Sequence, residues 1–315
     1  MGAELRALLE ESRFAGADLR LVDEEIVAGT LTVAGGEAAV IRPVEDDSFM
    51  KADMVLFSGS ASFAQANLEL AKSSGAKIVD LSGGFTEQKG AVSWFGKLDA
   101  LLGREFPKET KSFGIPSAGA TAAAALALAW SKVGLRKMSL VCMQSVSEAG
   151  RAGIEELETQ TGQLLSFQSA GRPVFDTQVA FNMVDRFGAA SAQKLEVTRE
   201  RLRAETKACI GEKHSLVALQ LLQAPVFYGT AFSACAELEN GDAEKIIQSC
   251  KDAGFAVAEE GGVGPSNVSA AGERNLQLSR PESDPGQSGS WWFWGAADNI
   301  RVPAANALKL AEMLL

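Results

Sequence analysis

Histidine is almost absent: His214 is the only one in 315 residues. Schemes that need imidazole as base or metal ligand therefore have one candidate. Its setting, Gly211-Glu212-Lys213-His214-Ser215, reads as a polar loop ahead of a strand. Cysteine is scarce too. Cys142, Cys209, Cys235 and Cys250 fit neither a zinc knuckle nor a C-x-x-C redox pair, so buried thiols in a reducing compartment are expected, and no metal. No apolar run is long enough to span a bilayer, and the alanine-rich run at 122–129 is too short. A basic stretch followed by an apolar one, as in a secretory signal, is missing. Positive charge is in deficit: 30 Lys and Arg face 40 Asp and Glu, for a net charge of −10. Nucleic acid and anionic membranes are poor partners for such a chain. The expectation is a cytoplasmic protein with neither partner.

What is present is ordinary globular composition, 46% hydrophobic and 22% charged, enough for one large domain or two medium ones. Leu5, Leu8 and Leu9 share one face of a helix predicted over 2–12. Residues 18–22 read as a strand, and 30–33 with 38–42 as a hairpin around Gly35-Gly36. A buried strand at 53–58 ends in Gly59-Ser60-Ala61-Ser62, followed by a helix over 62–74 and a strand at 76–80. Strands alternating with helices predict a parallel α/β sheet. After residue 121 the pattern changes. Extended segments at 139–145, 175–180, 215–227 and 230–239, with helices at 150–165, 191–209, 241–252 and 303–315, predict an α+β domain. The stretch Gly272 to Ser290 reads as a loop. The fold class is therefore α/β: a Rossmann-like parallel-sheet domain plus an α+β domain.

The opening is unusual. A doubly wound nucleotide domain starts with a strand and a glycine-rich turn whose N–H groups hold a pyrophosphate. This chain starts on the helix, and Met1-Gly2-Ala3-Glu4-Leu5 reads as the tail of such a turn, with Gly2 at its last glycine. That strand is central, and without it two neighbours stand unpaired. The favoured expectation is that roughly 10–15 residues lie upstream of Met1. The other reading is that the strand, and ordinary dinucleotide binding with it, has been lost.

Four segments resemble the aspartate-β-semialdehyde dehydrogenase family, in that family's order and over nearly the whole chain. They are Gln144-Ser145-Val146-Ser147-Glu148-Ala149-Gly150-Arg151-Ala152-Gly153-Ile154-Glu155-Glu156-Leu157, then Ala180-Phe181-Asn182, then Glu205-Thr206-Lys207 with the strand ending Ala224-Pro225-Val226-Phe227-Tyr228-Gly229, and Ala297-Asp298-Asn299-Ile300-Arg301. Val79-Asp80-Leu81-Ser82 and the Ser58-Gly59-Ser60 loop fit as well. The resemblance implies an NAD(P)-binding-type domain over 1–120, completed by a C-terminal helix at 299–315, and a dimerisation domain over 121–298. It also implies a homodimer, or a hetero-oligomer with an active relative. NADP would be the cofactor, placed against Gly2, Ser58, Gly59, Ser60, Ser82 and Asn299.

The family reduces an aspartyl phosphate through a thioester. That chemistry needs a cysteine nucleophile, a histidine base and an arginine for the substrate carboxylate. Carried over residue by residue, the nucleophile position falls on Ala118, in the junction Gly114-Ile115-Pro116-Ser117-Ala118-Gly119-Ala120-Thr121. A helix N-terminus there would favour a thiolate, but alanine offers none. The base position falls on Thr230 and the substrate-anchoring arginine on Gln223. An acid and base pair falls on Thr198 and Arg201, and the active-site glutamine is retained as Gln144. The resemblance thus implies a divergent relative without the catalytic cysteine and histidine: a dimeric scaffold or partner subunit. Alternatives are an NADP-dependent oxidoreductase of altered chemistry in amino-acid biosynthesis, or a small-molecule sensor. Cys142, two residues before Gln144 on the same strand face, is a surrogate nucleophile or a core thiol. Arg199, Arg201, Arg203 and Lys207 read as a solvated charged face. Trp291-Trp292-Phe293-Trp294 reads as core and dimer-interface packing.

Overall fold

A computed structural model describes residues 1–24, 27–34, 37–105, 109–239 and 241–315, without the side chains of Ala34, Glu37 and His214. The expected turn at Gly35-Gly36 and the expected role of the His214 side chain lie outside the described residues. The chain divides into two compact units, one of 1–96, 105–116 and 303–315, the other of 97–104 and 117–302. The division therefore falls at Ser117 rather than at residue 121, and the short segment 97–104 joins the second unit.

The first unit opens with α1 (Gly2–Glu10), β1 (Val22–Asp23), the hairpin β2 (Leu31–Ala34) and β3 (Glu37–Val40), and β4 (Arg42–Pro43). Next come β5 (Met54–Phe57), α2 (Ala61–Ala66), α3 (Leu68–Ser73), β6 (Lys77–Asp80) and β7 (Ala91–Ser93). Helix α4 (Leu98–Leu102) belongs to the second unit, and β8 (Ser112–Gly114) returns to the first. The sheet has the order β5-β6-β8-β7, all parallel. Leu5, Leu8 and Leu9 of α1 are buried against Val79, Trp94 and Phe113, together with Ala304, Ala307 and Leu310 near the C-terminus.

Two local expectations change here. The strand expected at 18–22 shrinks to Val22–Asp23, paired only with β4 among the described residues. The helix expected over 62–74 breaks at Asn67, whose Nδ2 donates to the Phe63 carbonyl at 2.9 Å. A side chain that competes for helix carbonyls interrupts the helix.

The second unit is built around α5 (Ala118–Ser131), β9 (Leu135–Gln144), α6 (Gly150–Leu165), α7 (Leu195–Ile210), β10 (Val217–Gln223) and β11 (Thr230–Leu238). It continues with α8 (Ala243–Asp252), β12 (Ala256–Val257), β13 (Gln277–Leu278), β14 (Glu282–Ser283) and β15 (Ser290–Ala297), and α9 (Arg301–Leu314) then leads back to the first unit. The short strands β13 and β14 lie inside the stretch expected to be loop. The sheet runs β10-β9-β11-β15-β13-β12, with β14 beside β15. Every residue of α5 from Ala118 to Trp130 is buried. A helix apolar on all sides has to sit in a core, and its small side chains let α7, α8 and the sheet approach closely.

The segment 175–180 is not a strand. Side chains of α6 take several of its backbone donors: Phe175 N–H donates to Glu156 Oε1 at 3.4 Å, and Val179 and Ala180 N–H to Gln160 Oε1 at 2.8 and 3.1 Å. Side-chain acceptors replace the ladder a strand would need. Ser215 and Leu216 likewise fall in a 3-10 turn, Gly211–Leu216, ahead of β10.

Gly153 explains one glycine of the resembling segment. A Cβ there would lie 2.4 Å from the Val146 carbonyl oxygen and 2.9 Å from the Ala149 Cβ. Gly153→Ala is expected to lower stability by about 1–3 kcal/mol through overpacking, read as a lower urea midpoint at unchanged slope.

Candidate functional site

Ser117 stands at the head of α5 with extended ψ, 161°, as its N-cap. Both its backbone N–H and its hydroxyl donate to Glu205 Oε2, at 2.9 and 2.5 Å. Glu205 projects from α7 and is 3% exposed. Its charge lies against the positive end of the α5 dipole. Arg201, one turn earlier on α7, approaches Glu205 at 3.6 Å and Glu148 at 3.7 Å. The buried Arg201 Nε–H has no hydrogen-bond partner among the described residues.

Three expected positions meet at one end of the sheet by register alone. Gln144 ends β9, Gln223 ends β10 and Thr230 starts β11, and Gln144 pairs with both of the others. Their side chains are buried. Gln144 Nε2 donates to Gln223 Oε1 at 3.1 Å, and Gln223 Nε2 donates to the carbonyls of Gln144 and Ala224 at 3.1 and 2.9 Å. One amide–amide bond thus joins the two side chains, and the Gln223 donors go to backbone carbonyls.

Ser117, Gln144, Thr198, Arg201 and Thr230 line one small cavity together with Gly119, Cys142, Glu148, Leu202 and Leu221. Ala118 is buried at 2% exposure and is not part of that lining. The cavity is about 10 Å³. A water molecule needs roughly 10–15 Å³, and sites for small molecules run to about 300–1,000 Å³. A Cβ on Gly119 would sit 2.8 Å from Leu202, which shows how tightly α5 and α7 close this space. Cys142 borders it, fully buried, and burial pushes its thiol up to about 12. A thiol held that high is overwhelmingly protonated at neutral pH and inert.

The other expected positions lie elsewhere. Asn299 is held within the second unit: its Oδ1 accepts from Gly229 N–H at 2.8 Å, and its Nδ2 donates to Ser147 Oγ and Glu148 Oε1. In the first unit Gly2, Ser58 and Gly59 line a separate groove. Ser60 caps α2 through Phe63 N–H and donates to Glu24 at 2.8 Å. Ser82 donates to Asp80 Oδ1 at 2.5 Å.

A family profile described as "Semialdehyde dehydrogenase, dimerisation domain" matches residues 126–302, more than half of the chain. The chain belongs to the semialdehyde dehydrogenase family. Along its whole length it is 28% identical to the USG-1 protein homolog of Pseudomonas aeruginosa, of which 94% is covered. It is 25% identical to aspartate-semialdehyde dehydrogenase 2 of Vibrio cholerae, again with 94% covered. The solved structure of a probable aspartate-semialdehyde dehydrogenase from Pseudomonas aeruginosa superposes with TM-score 0.85 at 26% identity, over 99% of this chain and 94% of that one.

Glu148, which lines the cavity, and Glu205, which pairs with Arg201 beside it, were not among the positions singled out from the sequence. The signal was present: Arg201 and Glu205 stand four apart on one helix, a favourable ion-pair spacing. The reading of the α7 arginines as a solvated face is corrected. Arg199 donates to Gln220 Oε1 at 3.0 Å and Arg203 to the Leu219 carbonyl at 2.8 Å, so both tie α7 to β10. Lys207 is exposed.

Burial raises the Glu205 carboxyl above its ordinary 4.5, against the opposing pull of Arg201 and Ser117. Between the unfolded and folded values the native state holds the extra proton. The group's contribution to stability is therefore full below the unfolded value and is lost as pH rises through the folded one. The urea midpoint should fall with rising pH across that window, and Glu205→Gln should flatten the fall.

Proposed function

We propose that this chain is a catalytically silent member of the family, acting as a dimeric scaffold or as the partner subunit of an active relative. The observation that supports this reading is the small volume of the cavity. The space ringed by Ser117, Gln144, Arg201 and Thr230 is about 10 Å³, too small for an amino-acid substrate. Resemblance puts the family nucleophile at Ala118 and the base at Thr230, and neither side chain can do that work. Glu205 occupies the helix end that would otherwise stabilise a thiolate or oxyanion. Gln223, in the place of a substrate-binding arginine, is hydrogen-bonded to Gln144.

NADP is the cofactor that the resemblance implies, and the residues at its expected loop fit it poorly. The Ser60 and Ser82 hydroxyls are engaged with Glu24 and Asp80. The Glu24 carboxylate beside Ser60 would repel a further phosphate group.

The dimer has a candidate surface on the open face of the second unit's sheet. Trp292 and Trp294 are 45% and 39% exposed. They register with Cys235 and Ser233 on β11, and Ser233 registers with Val141 on β9. A half-exposed apolar sheet face with two tryptophans is the kind of surface that a second subunit covers.

Phosphate-dependent NADP reduction with aspartate semialdehyde should stay at the no-protein background. It should remain there in the variant carrying Ala118→Cys with Thr230→His, because a cavity of about 10 Å³ still holds no amino-acid substrate. Turnover by the unaltered chain at ordinary enzyme rates, about 1–1,000 s⁻¹, would overturn the reading. NADPH should not raise the melting temperature. Light scattering should give a dimer, and Trp294→Glu should yield monomer with the circular dichroism of the parent. A monomeric parent chain that pairs with an active relative when the two are mixed would favour the partner-subunit form.

A further inference from the structure

Three parts of the first unit converge at Gly2, Asp23 and Gly59, which border one groove together with Ser58. A Cβ on Gly2 would lie 3.0 Å from Ser58 Oγ, so the start of α1 meets the carboxyl end of β5. A Cβ on Gly59 would lie 3.9 Å from Asp23 Oδ1, so the carboxyl end of β1 meets the same turn. Glu24, the next residue, accepts from the Ser60 hydroxyl at 2.8 Å. In a dinucleotide-binding βαβ unit an acidic residue about 20 positions after the glycine turn accepts hydrogen bonds from the adenosine ribose, and an arginine stands nearby where that ribose carries a 2′-phosphate. Asp23 and Glu24 stand at that interval from Gly2.

The local hydrogen bonds hold both carboxylates in place. Asp23 Oδ1 accepts from Glu24 N–H at 2.9 Å. The Glu24 carbonyl accepts from Val27 and Ala28 N–H at 2.9 and 3.1 Å, so a turn follows at once. The arginines nearest in sequence are directed elsewhere. Arg20 donates to the Met50 carbonyl at 2.8 Å. Arg42 registers with Val22 across β1 and β4, and alternation turns its side chain to the face opposite Asp23. A ribose with both hydroxyls free offers two donors, and a carboxylate is a pure acceptor. Ser60 takes one oxygen of Glu24, which leaves lone pairs for a ligand. A 2′-phosphate removes one donor and brings a charge of about −1.5 to −2 beside the two carboxylates.

We propose that the first unit takes a dinucleotide whose adenosine ribose carries two free hydroxyls, and that Asp23 and Glu24 select it and reject the 2′-phosphate form. The resemblance implies NADP, and these two side chains reverse that preference toward NAD. The inference concerns the first unit alone. It stands whether or not the second unit is catalytically silent.

Calorimetric titration of the whole chain with NADH and with NADPH tests it. NADH should bind about a hundredfold more tightly than NADPH, and should raise the melting temperature where NADPH does not. The 2′-deoxy analogue of NADH keeps the charge and loses one donor, and should bind about tenfold more weakly than NADH. Glu24 is exposed, so Glu24→Gln should keep the circular dichroism of the parent. That variant should narrow the gap between NADH and NADPH to about tenfold or less. NADPH binding as tightly as NADH overturns the proposal. So does a chain that binds neither, a 2′-deoxy analogue as tight as NADH, or a Glu24→Gln variant with the parent's preference. Turnover enters none of these readings, so failure here and failure of the silent-site reading are separate results.

Discussion

A buried carboxylate at the head of a buried helix governs the second unit. Glu205 accepts two hydrogen bonds from Ser117 and so joins α7 to the first turn of α5. The alanines of α5 supply little side-chain area of their own. The helix stays in place because its N-terminus is satisfied and because α7, α8 and the sheet close over it. Removing water from a carboxylate is costly. The Ser117 donors and Arg201 offset part of that cost, and burial remains the larger effect.

The same arrangement accounts for the small volume of the site. Arg201 reaches Glu205 and Glu148, Glu148 accepts from Asn299, and Asn299 accepts from Gly229. Across the sheet end, the Gln144 amide donates to Gln223, which in turn donates to the Gln144 backbone carbonyl. Most polar groups at this end of the sheet find partners inside the protein, the buried Arg201 Nε–H excepted among the described residues. Leu202 and Cys142 fill the rest of the space.

The first unit is held together differently. Among the described residues its parallel sheet ends at β5, and β1 is only two residues long. Leu5, Leu8 and Leu9 of α1 are buried against Val79, Trp94 and Phe113, so apolar burial rather than a polar network fixes that helix.

The sequence by itself determined the class of fold, most element positions and the family. Hydrophobic periodicity and turn residues act locally, so Leu5, Leu8 and Leu9 or the alternation along β11 are legible without coordinates. It also showed that residue 118 carries no thiol and residue 230 no imidazole. It did not show where the backbone of 175–180 finds its partners, because those are side chains of α6 reaching across from another element. Nor did it show the bond from Ser117 to Glu205, 88 residues apart, or that between Gln144 and Gln223, 79 residues apart. Such contacts depend on register and helix packing, which fix themselves only when the whole unit folds. The tertiary structure alone decided that these residues meet one another and leave almost no space between them.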